Sequence, residues 1–128
     1  MAVSDLAVLL ATMEPQLYPG EYGFSCVAAL PVGCPVFATV AEEEGLTLVA
    51  LVGDLAAAGV AYQGGWARIS LTVQSDLAAV GLTAAIATAL TGQGISANVI
   101  AGFHHDHVFV QAGRAEDAVA VMRGLASV

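Results

Sequence analysis

The sequence contains no lysine, and charged residues of any kind make up only 11% of its 128 residues. Eleven acidic residues stand against three arginines, which gives a formal net charge of −8. Binding of DNA or RNA requires clustered cations that neutralise phosphates, so this balance argues against a nucleic-acid partner. The absence of lysine also excludes Schiff-base chemistry and a lysine-dependent phosphate loop.

Long apolar runs are missing as well, although 58% of the residues are hydrophobic. The longest stretch without a charged residue, 77–105, has polar residues and helix breakers from Thr91 to Gly94 at its centre. Such a segment cannot span a bilayer. The N-terminus has no cation before its short apolar run, so it does not resemble a secretory signal. We therefore expect no membrane span and a cytoplasmic location.

Cysteine is scarce, since only Cys26 and Cys34 occur. They lack a metal-type spacing, and we interpret them as reduced thiols and not as a disulfide. Polar residues are too few to cover a monomer of this size well, which favours a homodimer or a higher homo-oligomer.

The second half of the chain has clear periodicity. Alternating apolar residues predict a strand over 68–74 and two further strands over 97–103 and 107–111. Apolar residues at helical spacing predict one helix beginning near Leu82 and another around 118–125. The order strand, helix, strand, strand, helix predicts an α+β, ferredoxin-like fold (βαββαβ), an antiparallel sheet covered by helices on one face. Its last strand must come from the first half.

The first half is less regular. It predicts a helix over 5–13, a turn at Pro15, a strand over 22–30, a loop over 31–35, a strand over 46–52 and a helix over 54–58. The glycine pair in Gln63-Gly64-Gly65 is the best internal boundary. We therefore expect two modules, an incomplete or strand-sharing one at 1–64 and a second at 65–128.

Several blocks of the sequence resemble ACT domains. The blocks are Val73, Asp76, Val80-Gly81-Leu82, Leu90 and Gly94-Ile95, together with 43–49, 79–85 and 105–110. They look like a small bacterial family of compact tandem ACT proteins whose function is not established, although proline is more usual at the position of Val80. The resemblance implies two ACT-type modules and a regulatory protein that binds an amino acid or a similar effector, often at an interface between modules.

The turn before the predicted helix at Leu82 is the main candidate site. Backbone N–H groups at a helix N-terminus can hold a carboxylate, and Gly81 allows close approach of a ligand. Asp76 is a suitable acceptor for an ammonium group. The candidate ligand-binding residues are Ser75, Asp76, Val80, Gly81, Leu82, Glu43, Glu44 and Asn98. The turn residues have a structural alternative, in which Ser75 and Asp76 only cap the turn and Gly81 permits packing. A solvated turn is the favoured interpretation of the acidic run at Glu43 and Glu44, because short charge runs are usually just exposed.

A metal site is the weaker alternative. The run His104-His105-Asp106-His107 contains suitable ligands, and His105 and His107 share a face in an extended strand. No further set of ligands completes a tetrahedral site, so the favoured interpretation of the run is a polar hairpin tip in which Asp106 hydrogen-bonds its own backbone.

Catalysis has little support, because the sequence has no nucleophile elbow and Cys26 lies in an apolar strand pattern. We expect a non-enzymatic protein without a cofactor. The alternatives are a structural or protein-interaction ACT protein without a ligand, or a small metal-binding protein that uses His104–His107.

Overall fold

The computed structural model describes residues 5–73 and 76–127. Ser75 and Gln74 therefore lie outside the described residues. Four α-helices occur in that part of the chain: α1 (Leu6–Thr12), α2 (Val52–Ala57), α3 (Leu82–Gly92) and α4 (Ala115–Gly124). Seven strands accompany them: β1 (Pro15–Leu17), β2 (Tyr22–Val27), β3 (Ala38–Glu42), β4 (Gly45–Leu51), β5 (Gln63–Leu71), β6 (Asn98–Ala101) and β7 (Asp106–Gln111).

The chain divides into two compact units. The larger unit contains Met1–Pro19 and Ala67–Val128, and the smaller one contains Gly20–Trp66. β5 contributes its first four residues to the small unit and its last five to the large unit. The division at 64 and 65 into two modules stays a prediction.

The large unit has the ferredoxin-like order expected from the sequence. β5 lies between β1 and β7, and β6 follows β7 at the edge. The missing fourth strand is supplied by β1, which pairs antiparallel with the end of β5 so that Pro15 faces Leu71 and Leu17 faces Ile69. β6 and β7 form the predicted hairpin, in which Ala101 faces Asp106.

The core of the large unit lies between its sheet and its helices. Strand residues that point to one face share a single cluster with the apolar stripes of α1, α3 and α4. The cluster includes Leu9, Ile69, Leu71, Leu82, Ile86, Leu90, Val108, Val110, Ala118 and Met122. Alternate strand residues point to opposite faces, so the three helices cover one face of this sheet.

The small unit has the same strand order, but it contains one α-helix where the large unit contains three. Its order is β3–β4–β2–β5, and β4 pairs antiparallel with both β2 and β3. α2 follows β4 and packs Leu55 against Leu48 and Ala50. Residues 28–37, which connect β2 to β3, contain no helix. This confirms the loop expected at 31–35.

One local expectation was wrong. Pro15 was expected to begin a turn, but Pro15–Leu17 is a strand because β5 offers it a pairing edge. The predicted boundary segment Gln63-Gly64-Gly65 lies at the beginning of β5. Gly65 donates its N–H to Oε2 of Glu21 at 2.6 Å, and a Cβ on Gly64 would lie 2.6 Å from the same oxygen. Gly65 also has φ +92, a conformation that favours glycine.

No helix in the described parts of the chain is long and apolar enough to cross a membrane. The cytoplasmic location stays a prediction.

Candidate functional site

The start of α3 carries the central feature of the site. Gly81 is the N-cap residue and has φ +104, a conformation that residues with a Cβ rarely adopt. Glycine has no side chain to accept from the first N–H groups, and α3 shows no side-chain capping hydrogen bond. The N–H groups of the first turn therefore point toward the space in front of the helix. The carbonyl of Gly81 accepts from Ala85 at 2.8 Å, which closes the first helical turn.

Leu82 fixes this helix terminus in the large unit. Its side chain is buried in the core together with Ile86 and Leu90. Gly81 itself lies against α1, because a Cβ at this position would approach Cδ2 of Leu6 to 2.9 Å. The position of the N-terminus is thus set by apolar packing, while its N–H groups stay directed outward.

Asp76 holds the turn that precedes the helix. Its Oδ1 accepts from the backbone N–H of Ala78 at 2.8 Å, and its carbonyl accepts from Ala79 at 2.9 Å. This arrangement is an Asx turn, a common way in which aspartate stabilises a chain reversal. The Asp76 side chain is exposed, so its carboxylate charge is accessible to a ligand.

A small pocket lies directly in front of this helix terminus. Its volume is about 130 Å³, and its lining residues are Asp76, Leu77, Ala79, Gly81, Leu82, Thr83, Ala84, Ala101 and Asp106. Two carboxylates therefore line the pocket together with the positive end of α3. Among the described residues that line it, none carries a cationic side chain. This distribution suits a ligand with both an anionic and a cationic group.

Asp106 was not expected in this pocket. The β6–β7 hairpin brings it there, because Asp106 faces Ala101 in the register and both residues line the pocket. Asp106 is buried, whereas Asp76 is exposed. The position of Asp106 could have been inferred from the sequence. A tight hairpin between two predicted strands places the residues on either side of its turn, here Ala101 and Asp106, next to each other.

The other predicted ligand residues lie elsewhere. Val80 is 82% exposed and adjoins the pocket without being one of its lining residues. Glu43 and Glu44 form the turn between β3 and β4 in the small unit, and Asn98 begins β6, where it faces Phe109. Their roles toward a ligand stay predictions.

The histidine run does not converge on a metal. His104 and His105 have ring centroids 6.3 Å apart, and Nδ1 of His105 lies 3.4 Å from the carbonyl of Val73. Within residues 5–73 and 76–127, no group of three or more histidines, cysteines or acids is placed to hold a metal ion. The described residues thus give the metal alternative no support.

His107 belongs instead to a hydrogen-bond chain on the sheet. Nε of Arg68 donates to Oγ of Ser70 at 3.0 Å, and that oxygen lies 2.7 Å from Nδ1 of His107. The guanidinium also covers the ring of Tyr18 at 3.9 Å. Burial, followed by the charges of Arg68 and His105, lowers the pKa of His107 below its usual 6.5, and Asp106 opposes the shift.

Two family models match this chain. One model described as an ACT domain matches residues 1–66, and a second with the same description matches residues 61–124. A comparison with curated proteins gives no match.

The solved structures that are similar to this chain include the following three. A Vibrio cholerae protein of unknown function, described as a possible transport protein, is 43% identical with a TM-score of 0.84, and 94% of this chain and 95% of that one are covered. An Agrobacterium tumefaciens protein is 18% identical with a TM-score of 0.75 and 89% coverage of each chain. The ligand-free regulatory subunit of aspartate kinase from Thermus thermophilus is 12% identical with a TM-score of 0.61, covering 90% of this chain and 98% of that subunit. The last two likenesses concern the fold.

Proposed function

The chain belongs to the ACT-domain family, and we propose that it is a non-catalytic regulatory protein that binds an amino acid in the pocket at the start of α3. ACT domains generally bind amino acids in regulatory proteins. The observation that carries the proposal is the meeting of a helix N-terminus and two carboxylates around one small pocket.

The two ends of an amino acid match the two kinds of group around the pocket. The carboxylate of the ligand accepts hydrogen bonds from backbone N–H groups between Val80 and the first turn of α3. Hydrogen bonds that involve a charged partner contribute about 1.5–3 kcal/mol, more than neutral ones. The ammonium group of the ligand lies between the carboxylates of Asp76 and Asp106, where it neutralises charge that would otherwise repel an anionic ligand.

The size of the pocket favours a compact ligand. A water molecule in the liquid occupies about 30 Å³, so a pocket of about 130 Å³ holds the equivalent of about four waters. This space accommodates the carboxylate, the ammonium group and a short side chain. A longer side chain would leave the pocket past Leu77, which is 67% exposed.

Regulation requires that the ligand favours one state of the protein over another. The Thermus thermophilus structure is a regulatory subunit of aspartate kinase, and the same fold here supports a regulatory role of the same kind. We propose a homodimer or a higher homo-oligomer as the responsive assembly, because only 11% of the residues are charged. A ligand position at an interface between modules stays a prediction.

A thermal-shift screen with the twenty amino acids tests the proposal. Ligand at one hundred times its dissociation constant stabilises the native state by about 2.7 kcal/mol, which gives a clear increase in Tm. The amino acids that respond are then titrated calorimetrically. No response to any amino acid would contradict the proposal and would favour an ACT protein that acts through protein contacts alone.

Asp76→Asn is the matched variant for the site. Asparagine retains an oxygen that can accept from Ala78, so the turn is preserved while the charge is lost. Loss of one charge-assisted bond should weaken amino-acid binding roughly 10- to 150-fold. Asp54→Asn in α2 of the small unit removes the same charge outside the pocket and should leave affinity unchanged. Equal affinities of the two variants would show that the ligand binds elsewhere.

A further inference from the structure

The small unit contains a cavity of its own. The cavity opens to solvent where the end of β2 lies beside the residues that lead into β5, and its volume is about 620 Å³. Oγ of Ser25 donates to the carbonyl of Ala61 at 2.5 Å and joins these two segments. The residues that line the cavity, which include Cys26 and Gln63, all belong to Gly20–Trp66. The cavity is therefore separate from the pocket at the start of α3, and it has room for a larger molecule.

Aromatic side chains contribute to the lining of this cavity. Phe24 and Tyr62 both line it, and Tyr62 leaves 43% of its surface in solvent. The ring of Phe24 lies edge-to-face against the ring of Trp66, the only tryptophan in the sequence, with centroids 6.0 Å apart. Aromatic faces attract cations that lie within about 6 Å of the ring centroid. The rings also offer an apolar surface on which the hydrocarbon part of a ligand can pack.

A carboxylate lines the cavity together with these rings. Glu42, the last residue of β3, accepts a hydrogen bond from the hydroxyl of Thr47, and both residues line the cavity. This bond fixes the orientation of the carboxylate and uses only one of the about four lone-pair sites on its two oxygens. The carboxylate of Glu42 can therefore accept a second hydrogen bond from a cationic donor inside the cavity.

The charges of the small unit all have one sign. Gly20–Trp66 contains no arginine, lysine or histidine, so the arginines and histidines of the chain all belong to the large unit. The charged residues of the small unit are Glu21, Glu42, Glu43, Glu44 and Asp54. A cleft in a region with one sign of charge concentrates ions of the opposite sign and repels ions of its own sign. The cavity therefore favours a cationic ligand over an anionic one.

We propose that this cavity binds an organic amine that has an apolar or aromatic body and lacks a carboxylate. The ammonium group donates to Glu42, and the body packs on Phe24 and Tyr62. A carboxylate on the ligand would be repelled by Glu42, and the small unit has no cationic side chain to compensate for this repulsion. The ligand class thus differs from that of the amino-acid pocket at α3, and either site binds without the other.

Three matched molecules with the same phenyl ring test this ligand class. Phenethylamine carries an ammonium group, phenethyl alcohol carries a hydroxyl in its place, and phenylalanine adds a carboxylate to the amine. Trp66 reports binding in the small unit through its fluorescence, because it is the only tryptophan and lies against Phe24. Phenethylamine should change this fluorescence saturably, with a dissociation constant about tenfold lower than that of the alcohol, which loses both the pairing with Glu42 and the attraction to the rings. Excess phenylalanine should not displace the amine.

Calorimetric titration measures the same affinities independently. No saturable binding of phenethylamine by either method, equal affinities for the amine and the alcohol, or displacement of the amine by phenylalanine would overturn the proposal. Asp76→Asn, which changes the amino-acid pocket, should leave the affinity for phenethylamine unchanged. A lower affinity in that variant would place the amine at α3 and would equally overturn the proposal.

Glu42→Gln removes the charge from the cavity and retains an oxygen that can accept from Thr47. Glu42 is exposed and water screens its charge in part, so this variant should bind phenethylamine about threefold to tenfold more weakly. Glu43→Gln is the matched control, because Glu43 lies in the turn between β3 and β4 and is not one of the lining residues. Equal affinities of the two variants for phenethylamine would refute the proposal.

Labelling of Cys26 locates the bound amine. Cys26 is exposed and lines the cavity, so its reaction with iodoacetamide, an uncharged reagent, measures access to the cavity in a chain that carries Cys34→Ser. Saturating phenethylamine should slow this labelling severalfold, whereas phenethyl alcohol at the same concentration should not. Circular dichroism verifies that each variant is folded. An unchanged labelling rate with the amine bound would place the ligand outside the cavity and contradict the inference.

Discussion

Replacing Gly81 by alanine should destabilise the large unit through two distinct causes. Gly81 has φ +104, and placing a residue with a Cβ in left-handed backbone costs about 1–2 kcal/mol. The new Cβ would also lie 2.9 Å from Cδ2 of Leu6, at the end of a half-buried side chain that has to change rotamer. An off-rotamer side chain costs about 0.5–1.5 kcal/mol.

One effect opposes these costs. Alanine reduces the conformational freedom of the unfolded chain, which returns about 0.4–1 kcal/mol. The net loss in the free energy of unfolding is therefore about 0.5–3 kcal/mol. An unfolding entropy of about 2.1 cal/mol/K per residue gives about 4 °C for each kcal/mol in a chain of this length. Gly81→Ala should thus lower Tm by about 2–12 °C, measured by calorimetry and verified by urea unfolding at 25 °C.

Alanine substitutions at Gly92, the last residue of α3, and at Gly94, two residues later, distinguish backbone strain from the contact with Leu6. Gly94 has φ +71, and nothing lies within 4 Å of a Cβ built there, so Gly94→Ala measures backbone strain alone. At Gly92 a Cβ would also have no atom within 4 Å, and the backbone does not have a positive φ. Gly92→Ala should therefore stabilise the native state slightly, because glycine inside a helix costs conformational entropy. We expect stability to decrease in the order Gly92→Ala, Gly94→Ala, Gly81→Ala. A Gly81→Ala variant as stable as Gly92→Ala would refute both the strain and the contact with Leu6.

Three further substitutions examine the core, a helix cap and a titrating group. Leu90→Ala, at a fully buried position in α3, should lower the unfolding free energy by about 2–5 kcal/mol, whereas Leu30→Ala at a half-exposed position should change it little in the same urea titration. Asp5→Ala removes the side chain that accepts from the N–H of Val8 at 3.1 Å and should cost about 0.5–2 kcal/mol, while Asp5→Asn should retain most of the cap. The lowered pKa of His107 means that the unfolded chain binds the proton more tightly, so stability should fall as pH decreases below about 6.5. His107→Gln should flatten this dependence of stability on pH. An NMR titration that places the pKa of His107 at or above 6.5 would contradict the prediction.

The regular elements of the large unit could be predicted because each has one apolar face. α3 was expected to begin near Leu82 from the spacing of Leu82, Ile86 and Leu90, and these residues are buried in one cluster. The β6–β7 hairpin followed from alternation on both sides of a short polar turn. In each case the local pattern and the tertiary environment require the same periodicity.

β1 shows what local patterns leave out. Pro15 predicts a turn by itself, and three residues are too few to display alternation. They form a strand because Leu71, Ser70 and Ile69 of β5 offer a pairing edge more than fifty residues away. The place of Asp106 in the pocket could not be predicted from local sequence for the same reason. It lines the same pocket as Asp76 because of the hairpin and the sheet order, and not because of its neighbours in the sequence.

The two units share a strand order but differ in the element that would create an anion site. In the large unit, β5 takes the place of the first strand of the ferredoxin-like order. The helix α3 follows it along the chain, and the N-terminus of α3 faces the pocket. In the small unit the corresponding strand is β2, and the residues after it, 28–37, contain no helix. Without a helix N-terminus at that place, the backbone offers no aligned set of N–H groups for a carboxylate. We therefore expect one amino-acid site per chain despite two ACT matches. Calorimetric titration should give a stoichiometry of one ligand per chain, and two equivalent sites would contradict the assignment of the site to α3.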